Sequence, residues 1–299
     1  MSDKAIHIAL TFDDGFWAPA FATMRSIALS SERRADLNFH LLHKNLSAEH
    51  RAELDAIAEE FPGIRLHDYP LAEDRHFAAI KEGFVFKWRR LNDMVLARLI
   101  FDKLLPQTVT RLIYLDCDVM VRQPIEELWE TDLQGKAVGG VIDPNRHKVM
   151  LGREFKEKAD IFTYDQPYVN GGVLLIDLER WAKADLMGRT AAFREQGLLE
   201  KLYYDQDIIN LVFAGELYPL DWRWNLTNAL PAHEALEPFI IHYSGDRKPW
   251  SLIGGTAFFN NYRHVMTNEK YYAFMRFRWR RSLEKLFRRL TFRSARRPA

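Results

Sequence analysis

The segment R-L-I-Y-L-D-C-D-V-M-V, residues 111–121, carries the most informative pattern of the chain. Its first half is a continuous apolar run, which is typical of a strand buried on both faces of a parallel sheet. Asp116 and Asp118 follow where this strand is expected to end, on the same side of the extended chain. The nearest basic residues in sequence are Arg111 and Arg122, so the two carboxylates would repel each other unless a cation lies between them.

The spacing of this carboxylate pair predicts a divalent cation site. Hard divalent cations take oxygen ligands and bridge to phosphates, and the carboxyl ends of parallel strands are where α/β sheets bind ligands. The alternative is a pair of solvated loop aspartates, since aspartate is common where strands stop.

Composition bounds the class of protein. With 299 residues, of which 47% are hydrophobic and 13% aromatic, the chain can bury a sizeable core in one large α/β domain or two smaller ones. Cys117 is the single cysteine, which excludes an intramolecular disulfide and fits a reducing compartment. The N-terminus leads into a strand-like run, and no apolar stretch approaches the roughly 18 residues of a membrane span. We therefore expect a soluble, cytoplasmic chain.

The charge is concentrated at the C-terminal end. Residues 276–299 hold nine arginines and Lys285 against Glu284, a net charge of +9, whereas the whole chain carries +1, which leaves −8 on the rest. On a helix, one apolar stripe would be formed by Trp279, Leu283, Leu286, Phe287 and Leu290. A basic amphipathic helix of this kind favours an anionic membrane surface, with nucleic-acid contact or a solvated tail as alternatives.

Two further segments place polar side chains near the predicted cation site. A first strand, residues 5–12, runs into the turn Asp13-Asp14-Gly15, which has no glycine-rich dinucleotide fingerprint. Asp13 and Asp14 could accept hydrogen bonds from a base or a ribose, or could cap the following helix. Arg98 lies in a helical-looking segment, residues 92–100, from which it could reach a phosphate or the carboxylate pair, or form a surface salt bridge.

The second half of the chain adds three turn or strand-end motifs. Asn170-Gly171-Gly172 precedes a buried strand, and it allows either a close backbone approach to a ligand or a simple tight turn. The sequence Asp205-Gln206-Asp207 begins a helix, for which Asp205 is a plausible cap. A short apolar strand then delivers His242, which either completes the cation site or is a satisfied core residue.

Taken in order, these motifs resemble glycosyltransferase family 8, which contains bacterial lipopolysaccharide galactosyl- and glucosyltransferases and glycogenin. The resemblance covers residues 5–255 and rests on D-x-D at 116–118, N-G-G at 170–172, D-Q-D at 205–207 and H-Y-x-G-x-x-K-P-W at 242–250. This sequence departs from the family pattern at Gly171, where alanine is commoner, and at Thr11-Phe12, where small residues often precede the aspartate pair.

The resemblance implies a fold of the GT-A type: a Rossmann-like α/β nucleotide-diphospho-sugar transferase with a mixed, mostly parallel central sheet, here residues 1–255. It implies Mn²⁺ or Mg²⁺ held by Asp116, Asp118 and His242, with the diphosphate on Gly245 and Lys248. The nucleotide would lie against Thr11, Asp13, Asp14 and Cys117, and the donor sugar against Arg98, Asp143, Asn170, Gly171 and Asp205. Residues 256–299 would form a helical, basic, membrane-associating tail.

The implied reaction moves a hexose, glucose or galactose, from a UDP-sugar to a saccharide acceptor with retention of configuration. Gln206 matches the residue near the reactive carbon, with Asp205 and Asp143 as further catalytic candidates. No carboxylate nucleophile is found, so a front-face transfer is implied, in which the leaving phosphate helps to deprotonate the acceptor. The acceptor would be lipopolysaccharide core or another lipid-linked glycan, and we expect residues 77–90 and 144–168 to line its cleft.

The implied partners are a UDP-hexose, this acceptor and an anionic membrane surface, with no nucleic acid. The implied location is peripheral, on the inner face of the bacterial cytoplasmic membrane. Two rival functions remain. Asp116-Cys117-Asp118-Val119 also matches the start of a haloacid-dehalogenase-type phosphatase motif with Asp116 as nucleophile, although such motifs usually lie on the first strand and continue with Gly-Thr. The other rival is a non-catalytic, membrane-associated protein that binds a sugar nucleotide.

Overall fold

A computed structural model of the chain describes residues 5–85, 92–146, 161–162, 166–251 and 255–294. Its strands are β1 (Ile6–Asp13), β2 (Leu37–Lys44), β3 (Arg65–Pro70), β4 (Arg111–Leu115), β5 (Val119–Val121), β6 (Val138–Ile142), β7 (Val169–Asp177), β8 (Leu217–Pro219), β9 (Leu226–Thr227) and β10 (Ile240–His242). Seven of them form one sheet in the order β3-β2-β1-β4-β7-β6-β8, and the other three form a small sheet in the order β5-β10-β9.

The large sheet is mixed and mostly parallel. Strands β3, β2, β1 and β4 run parallel to one another, and β6 is parallel to β8. Only β7 is reversed, so it pairs antiparallel with both β4 and β6. This pattern confirms the predicted α/β sheet.

The α-helices are α1 (Trp17–Ser30), α2 (Ala48–Glu60), α3 (Arg75–Ile80), α4 (Phe101–Leu104), α5 (Ile125–Trp129), α6 (Leu178–Lys183), α7 (Leu186–Glu195), α8 (Tyr204–Val212), α9 (Phe259–Met266) and α10 (Asn268–Ser294). The segment around Arg98, predicted to be helical, is a 3-10 helix, Asp93–Ile100. Asn92 caps it, because its side-chain oxygen accepts a hydrogen bond from the Met94 N–H at 3.0 Å.

Strand β4 is buried on both faces, as its apolar run predicted. Ile113 and Leu115 belong to the hydrophobic cluster under α1 and α2, whereas Leu112 and Tyr114 belong to the cluster on the opposite face of the sheet. Alternate side chains of a strand point to opposite faces, so a run without polar residues requires two covered faces. After Leu115 the chain leaves the large sheet, and with β5 it enters the small one. The two aspartates therefore lie at the crossover between the sheets.

Helices α9 and α10 pack against α1 through a third hydrophobic cluster. The cluster joins Trp17 of α1, Trp250 of the loop after β10, Tyr262 of α9 and Phe274 of α10. The division between residues 1–255 and 256–299 stays a prediction. No helix among the described residues is both long and apolar enough to span a membrane.

A histidine cluster lies on the neighbouring strands β1, β2 and β3. Nε2 of the buried His40 lies 2.9 Å from Nδ1 of His7, and its Nδ1 lies 3.0 Å from the hydroxyl of Tyr69. Its ring stacks on His67 with the centroids 4.9 Å apart. Burial, together with the charges of His7 and His67, lowers the pKa of His40 to about 3.

We expect this histidine to make the fold sensitive to acid. The folded-state pKa of His40 lies below the ordinary value of 6.5. As the pH falls from 6.5 towards 3, His40 therefore becomes protonated in the unfolded chain but stays neutral in the folded chain. From pH 7 to pH 5 this linkage lowers the free energy of unfolding by about 2 kcal/mol. In urea titrations at both pH values, His40→Gln should lose less stability on acidification than the wild type. An equal loss in the two proteins would contradict the assignment.

Candidate active site

Three potential metal ligands converge at the crossover between the sheets. One ligand atom from each of Asp116, Asp118 and His242 lies within 4.8 Å of the others. His242 is the last residue of β10, and it is paired with Val119 of β5, so the register of the small sheet brings it beside the two aspartates. Its Nε2 lies 3.2 Å from Asp118 Oδ1 and 3.6 Å from Asp116 Oδ2.

Two cations from distant parts of the sequence partner the carboxylates. Arg98 donates from Nη2 to Asp116 Oδ1 at 2.9 Å, and Lys248 donates from Nζ to Asp118 Oδ2 at 2.5 Å. Burial disfavours the charged form of Asp118, but His242 and Lys248 outweigh it and lower the pKa of this carboxyl well below its usual range. The premise that only an added cation would relieve the repulsion was therefore wrong, because neighbours in sequence are not the neighbours in space.

A chain of side-chain amides orients the His242 ring. The side-chain oxygen of Asn170 accepts hydrogen bonds from Gly172 N–H at 3.0 Å and from the Asn225 amide nitrogen at 2.9 Å. The remaining oxygen of Asn225 faces His242 Nδ1 at 2.8 Å. Since that oxygen can only accept, Nδ1 carries a proton, so in the neutral ring the lone pair would be on Nε2, the nitrogen that faces the carboxylates.

The ligand set fits a hard divalent cation. Two carboxylates supply the oxygen ligands that Mg²⁺ and Mn²⁺ prefer, and the neutral imidazole supplies a nitrogen lone pair. The backbone also leaves room, because a Cβ on Gly172 would overlap with the His242 ring and come within 2.8 Å of Asp116 Oδ2. A side chain at this position would therefore displace the ligands.

Asn225 is expected to tune the affinity for this cation. Asn225→Ala removes the acceptor for Nδ1–H, so the ring can turn or change its tautomer. Loss of such an outer hydrogen bond typically weakens metal binding about 10- to 100-fold. Mn²⁺ titration followed by the paramagnetic resonance of free Mn²⁺ measures this without any turnover. An unchanged dissociation constant would show that the amide chain does not orient His242.

A second polar network surrounds Gln206, in the first turn of α8. Its side-chain oxygen accepts from Gly171 N–H at 3.0 Å, and its amide nitrogen donates to Asp143 Oδ2 at 3.1 Å and to the Tyr168 oxygen at 3.2 Å. Tyr168 in turn donates to Asp207 at 2.5 Å. The side-chain amide of Gln206 is thus held in one orientation by three neighbours, Gly171, Asp143 and Tyr168.

Asn170 connects the Gln206 network to the metal ligands. Its amide nitrogen donates to Asp143 Oδ2 at 3.0 Å, and its oxygen belongs to the chain that ends at His242. The structure therefore brings Asp143, Asn170, Gly171 and Gln206 together with the aspartate pair, as the motifs implied. Which of them touches a donor sugar stays a prediction.

Arg98 lies buried between two carboxylates. Besides Asp116, its Nε contacts Asp205 Oδ2 at 3.0 Å, and its guanidinium lies over the Tyr114 ring, 4.3 Å from the centroid. Burial raises the pKa of Asp205 to about 6, with a further rise from the nearby Asp116, although Arg98 favours the ionised form. The expectation that Asp205 caps α8 was wrong: the cap position is Tyr203, without a side-chain cap, and Asp205 pairs with Arg98 instead.

The aspartates after β1 face different neighbours. Asp13 accepts from Gly15 N–H at 2.8 Å, so it caps the short turn there, and its other oxygen accepts from Asn92 at 3.0 Å. Asp14 is turned away to the start of α2, where it accepts from Ser47 N–H at 2.9 Å and lies 2.7 Å from His50 Nδ1. Asp14 is therefore engaged with α2, whereas Asp13 stays at the turn after β1, and a nucleotide contact of either residue stays a prediction.

Cys117 and Thr11 lie beside each other at the base of this region. The thiol donates to the Thr11 carbonyl oxygen at 3.6 Å, and burial raises the pKa of the Cys117 thiol well above its usual range. At the other side of the site, Gly245 is exposed on the loop after β10, and a Cβ there would meet no described atom within 4 Å. Of the expected acceptor walls, residues 86–90, 147–160 and 163–165 lie outside the described residues.

Sequence reasoning missed Asn225, Tyr114 and Tyr168. Tyr114 donates to Asp116 Oδ1 at 2.5 Å, although the apolar strand pattern treats it as a core residue. Asn225 ends a 3-10 helix, Trp222–Asn225, with no motif around it, so no sequence signal could have identified it. Tyr168 directly precedes the N-G-G motif, which was the one available signal.

Comparison with solved structures identifies the class of fold. The galactosyltransferase LgtC, crystallised in complex with donor and acceptor sugar analogs, superimposes with a TM-score of 0.71 over 87% of this chain and 95% of that chain, at 23% sequence identity. The described sheet together with the Asp-Asp-His group is a glycosyltransferase fold of the GT-A type.

The sequence then defines the family. Residues 7–254 match the profile of glycosyl transferase family 8, and the chain belongs to this family. General stress protein A of Bacillus subtilis (strain 168) is 22% identical over 288 residues, which cover 90% of this chain and 96% of that protein. The probable galacturonosyltransferase-like 10 of Arabidopsis thaliana is 27% identical over 266 residues, 83% of this chain and 71% of that protein. Membership of this family argues against the alternative of a haloacid-dehalogenase-type phosphatase.

Proposed function

We propose that this glycosyltransferase moves a neutral hexose, glucose or galactose, from a UDP-sugar to a saccharide acceptor with retention of configuration. The observation that carries the proposal is the group formed by Asp116, Asp118 and His242. Lys248 donates a hydrogen bond to Asp118, and the Gln206 network lies beside this group. A cation site, an ammonium group and hydrogen-bonding side chains that lie together are what transfer from a sugar diphosphate requires.

The residues divide into three parts of a donor site. Asp116, Asp118 and His242 would hold Mn²⁺ or Mg²⁺, which when bound supplies positive charge to the donor diphosphate. Lys248 and the exposed Gly245 loop would contact the same diphosphate. The nucleotide would lie towards Thr11, Asp13 and Cys117, and the sugar towards Arg98, Asp143, Asn170, Gly171 and Asp205.

Lys248 is the side chain with the clearest role in the step itself. As the glycosidic bond breaks, negative charge develops on the leaving UDP, so an ammonium group near its phosphates stabilises the transition state more than the ground state. In the structure this ammonium group is paired with Asp118 and with the Tyr243 carbonyl oxygen. We infer that Lys248 exchanges Asp118 for the diphosphate when the donor binds.

The Gln206 environment supports a front-face transfer. A neutral amide fixed by Gly171, Asp143 and Tyr168 is a poor nucleophile, but it can hold a sugar in one pose. The acceptor hydroxyl would approach from the side that the phosphate leaves, and the leaving phosphate would take its proton. Asp143 and Asp205 serve in this scheme as hydrogen-bond acceptors for sugar hydroxyls.

The charges of the pocket favour a neutral sugar over a uronic acid. Asp143 accepts from two side-chain amides, and Arg98, which donates to the Gly171 carbonyl oxygen, is already paired with Asp116 and Asp205. A hexuronate would add a fourth carboxylate to Asp143, Asp116 and Asp205, without a free cation among these residues. The name of the plant relative concerns galacturonic acid, so the comparison of both donor classes is informative.

Melting temperature with each donor tests the proposal. We would compare UDP-glucose, UDP-galactose, UDP-galacturonic acid, UDP-N-acetylglucosamine and UDP, each with Mn²⁺ or EDTA. A ligand that binds only the native state raises its stability, by about 2.7 kcal/mol at a hundredfold excess over the dissociation constant. We expect a cation-dependent rise that is largest for one neutral UDP-hexose. No rise with any nucleotide would refute the proposal.

We further propose that the acceptor is lipid-linked, as in a lipopolysaccharide core, and that the protein acts on the inner face of the bacterial cytoplasmic membrane. The support is the basic segment 276–299 and the exposed side chains of Trp279, Leu283 and Phe287 on α10, of which 63%, 47% and 63% are accessible. Leu286 and Leu290 of the predicted stripe lie outside the side chains that the structure describes.

Flotation with vesicles tests the membrane proposal. The full chain should float with vesicles that contain phosphatidylglycerol and remain unbound with phosphatidylcholine alone, since anionic lipids attract a polybasic segment. The double variant Trp279→Ser/Leu283→Ser should lose this binding. Binding to RNA but not to anionic vesicles would favour the nucleic-acid alternative, and binding to neither would favour a solvated tail.

A further inference from the structure

Helix α10 presents two different faces. Tyr271 and Phe274 are buried in the cluster that covers α1, and Phe277 packs edge-on against His50, with ring centroids 4.7 Å apart. Trp279 and Leu283, one helical turn apart, lie on the opposite face and are exposed. The helix therefore has one face on the protein core and one that faces solvent.

The inner face reaches the turn after β1 through Arg281. The space that a Cβ on Gly15 would occupy is already filled by Nη1 of Arg281, with Asp13 Oδ1 within 2.9 Å of the same position. The guanidinium thus lies against the turn that carries Asp13. Phe277 approaches the same turn by a second route, because His50 is bonded to Asp14.

The inner face also reaches the loop after β10. Arg278 donates from Nη1 to the Trp250 carbonyl oxygen at 2.8 Å, and the Trp250 ring contacts Phe274 with the centroids 6.2 Å apart. Trp250 follows Lys248 by two residues. One turn of α10, residues 278–281, therefore contacts both loops to which the proposed function assigns the nucleotide and the diphosphate.

We propose that Arg278 and Arg281 are positioning residues of the donor site, and that binding of the outer face of α10 to an anionic lipid surface strengthens donor binding through them. This inference rests on the proposed function, because it takes the two loops to be the donor loops. In this proposal residues 278–281 couple lipid binding on one face of α10 to nucleotide binding on the other.

The physical basis is the stability of the exposed part of the helix. The side chains that the structure describes after Phe277, those of residues 278–285 and 287, are all exposed, and a helix end in water is marginal unless something packs against it. A lipid surface that holds Trp279 and Leu283 would keep residues 278–281 helical, and so keep both arginines on their loops. Because such coupling is reciprocal, the donor must strengthen vesicle binding by the same factor.

Equilibrium binding of UDP in the presence of Mn²⁺ is the test, measured calorimetrically with and without phosphatidylglycerol vesicles. For the wild type we expect the vesicles to lower the dissociation constant at least about fivefold, the lower end of measured couplings between sites. Without vesicles, Arg278→Ala and Arg281→Ala should weaken UDP binding about fivefold. Arg189→Ala, which removes an exposed arginine of α7, is the control and should leave UDP binding unchanged.

Further variants separate positioning from general destabilisation. Arg281→Lys keeps the positive charge and should restore most of the affinity. In the transfer assay Arg281→Ala should raise the donor KM and leave kcat within about twofold, since it contacts no reacting atom. Trp279→Ser/Leu283→Ser should keep the vesicle-free affinity for UDP but lose both flotation and the vesicle effect.

Each outcome decides one part. Wild-type UDP affinity in both arginine variants would overturn the positioning role. Vesicles that bind the wild type without changing its UDP affinity would overturn the coupling and leave the membrane proposal standing. Failure of the wild type to float would overturn both the lipid surface and the coupling. The transferase proposal fails separately, if the wild type binds no UDP with Mn²⁺.

Discussion

Asp118→Asn is expected to lower turnover at least about a hundredfold, the scale seen when a principal electrostatic stabiliser is removed. Asparagine keeps the size of the side chain but removes the negative charge that His242 and Lys248 both face. The cation site then lacks one of its two anionic ligands. In addition, Lys248 loses the carboxylate partner that holds it at the proposed diphosphate site.

Two measurements make this result specific. Mn²⁺ binding, followed by the resonance of free Mn²⁺, should weaken together with turnover. Asp55→Asn is the control, because this aspartate pairs with Arg51 on the exposed surface of α2 and takes no part in the site. Turnover near that of the wild type in Asp118→Asn would refute the metal assignment.

Arg98→Met should lower the free energy of unfolding by about 3–5 kcal/mol, the cost of leaving buried charge without its partner. Arg98 is 4% exposed and lies between Asp116 and Asp205, both within 3.0 Å of its nitrogens. Methionine fills much of the volume but supplies no charge. Asp205, whose pKa is already raised to about 6 by burial, would have to take up a proton in the folded state.

Urea unfolding at pH 7 and pH 5 tests this account. Since the folded variant must bind a proton that the unfolded chain does not need, its deficit should be smaller at pH 5 than at pH 7. Arg194→Met removes a surface pair with Glu82 and should cost about 1 kcal/mol or less. A small, pH-independent loss in Arg98→Met would mean that the two carboxylates do not depend on this arginine.

The sheet could be predicted because its signal is local. A strand segment that is buried on both faces is expected to be apolar, and such segments are Ile8–Leu10 of β1, Leu112–Leu115 of β4 and Val173–Ile176 of β7. The end of the β4 run then identified the carboxylate pair. The helix cap at Ser47 was also predictable, since its hydroxyl accepts from the N–H of His50, three residues later.

The interactions within the site were not predictable to the same extent. The sequence offered Arg111 and Arg122 as the nearest cations to the aspartates, whereas the cations in contact are Arg98 and Lys248. Asp205 looked like a helix cap because caps are the commonest use of aspartate at a helix start, but a buried arginine nearby is a stronger partner. These outcomes depend on residues that meet only after the chain has folded.

The sequence by itself determined the family, the class of fold and the candidate ligands Asp116, Asp118 and His242, because these follow from short apolar runs and motif spacing. Only the tertiary structure decided which group His242 Nδ1 faces, through Asn170 and Asn225, and the contact of α10 with the turn after β1 and the loop after β10. The reason is the sequence separation of the residues involved. A strand pattern extends over a few consecutive residues, whereas the hydrogen bonds of this site join side chains from segments far apart in the chain.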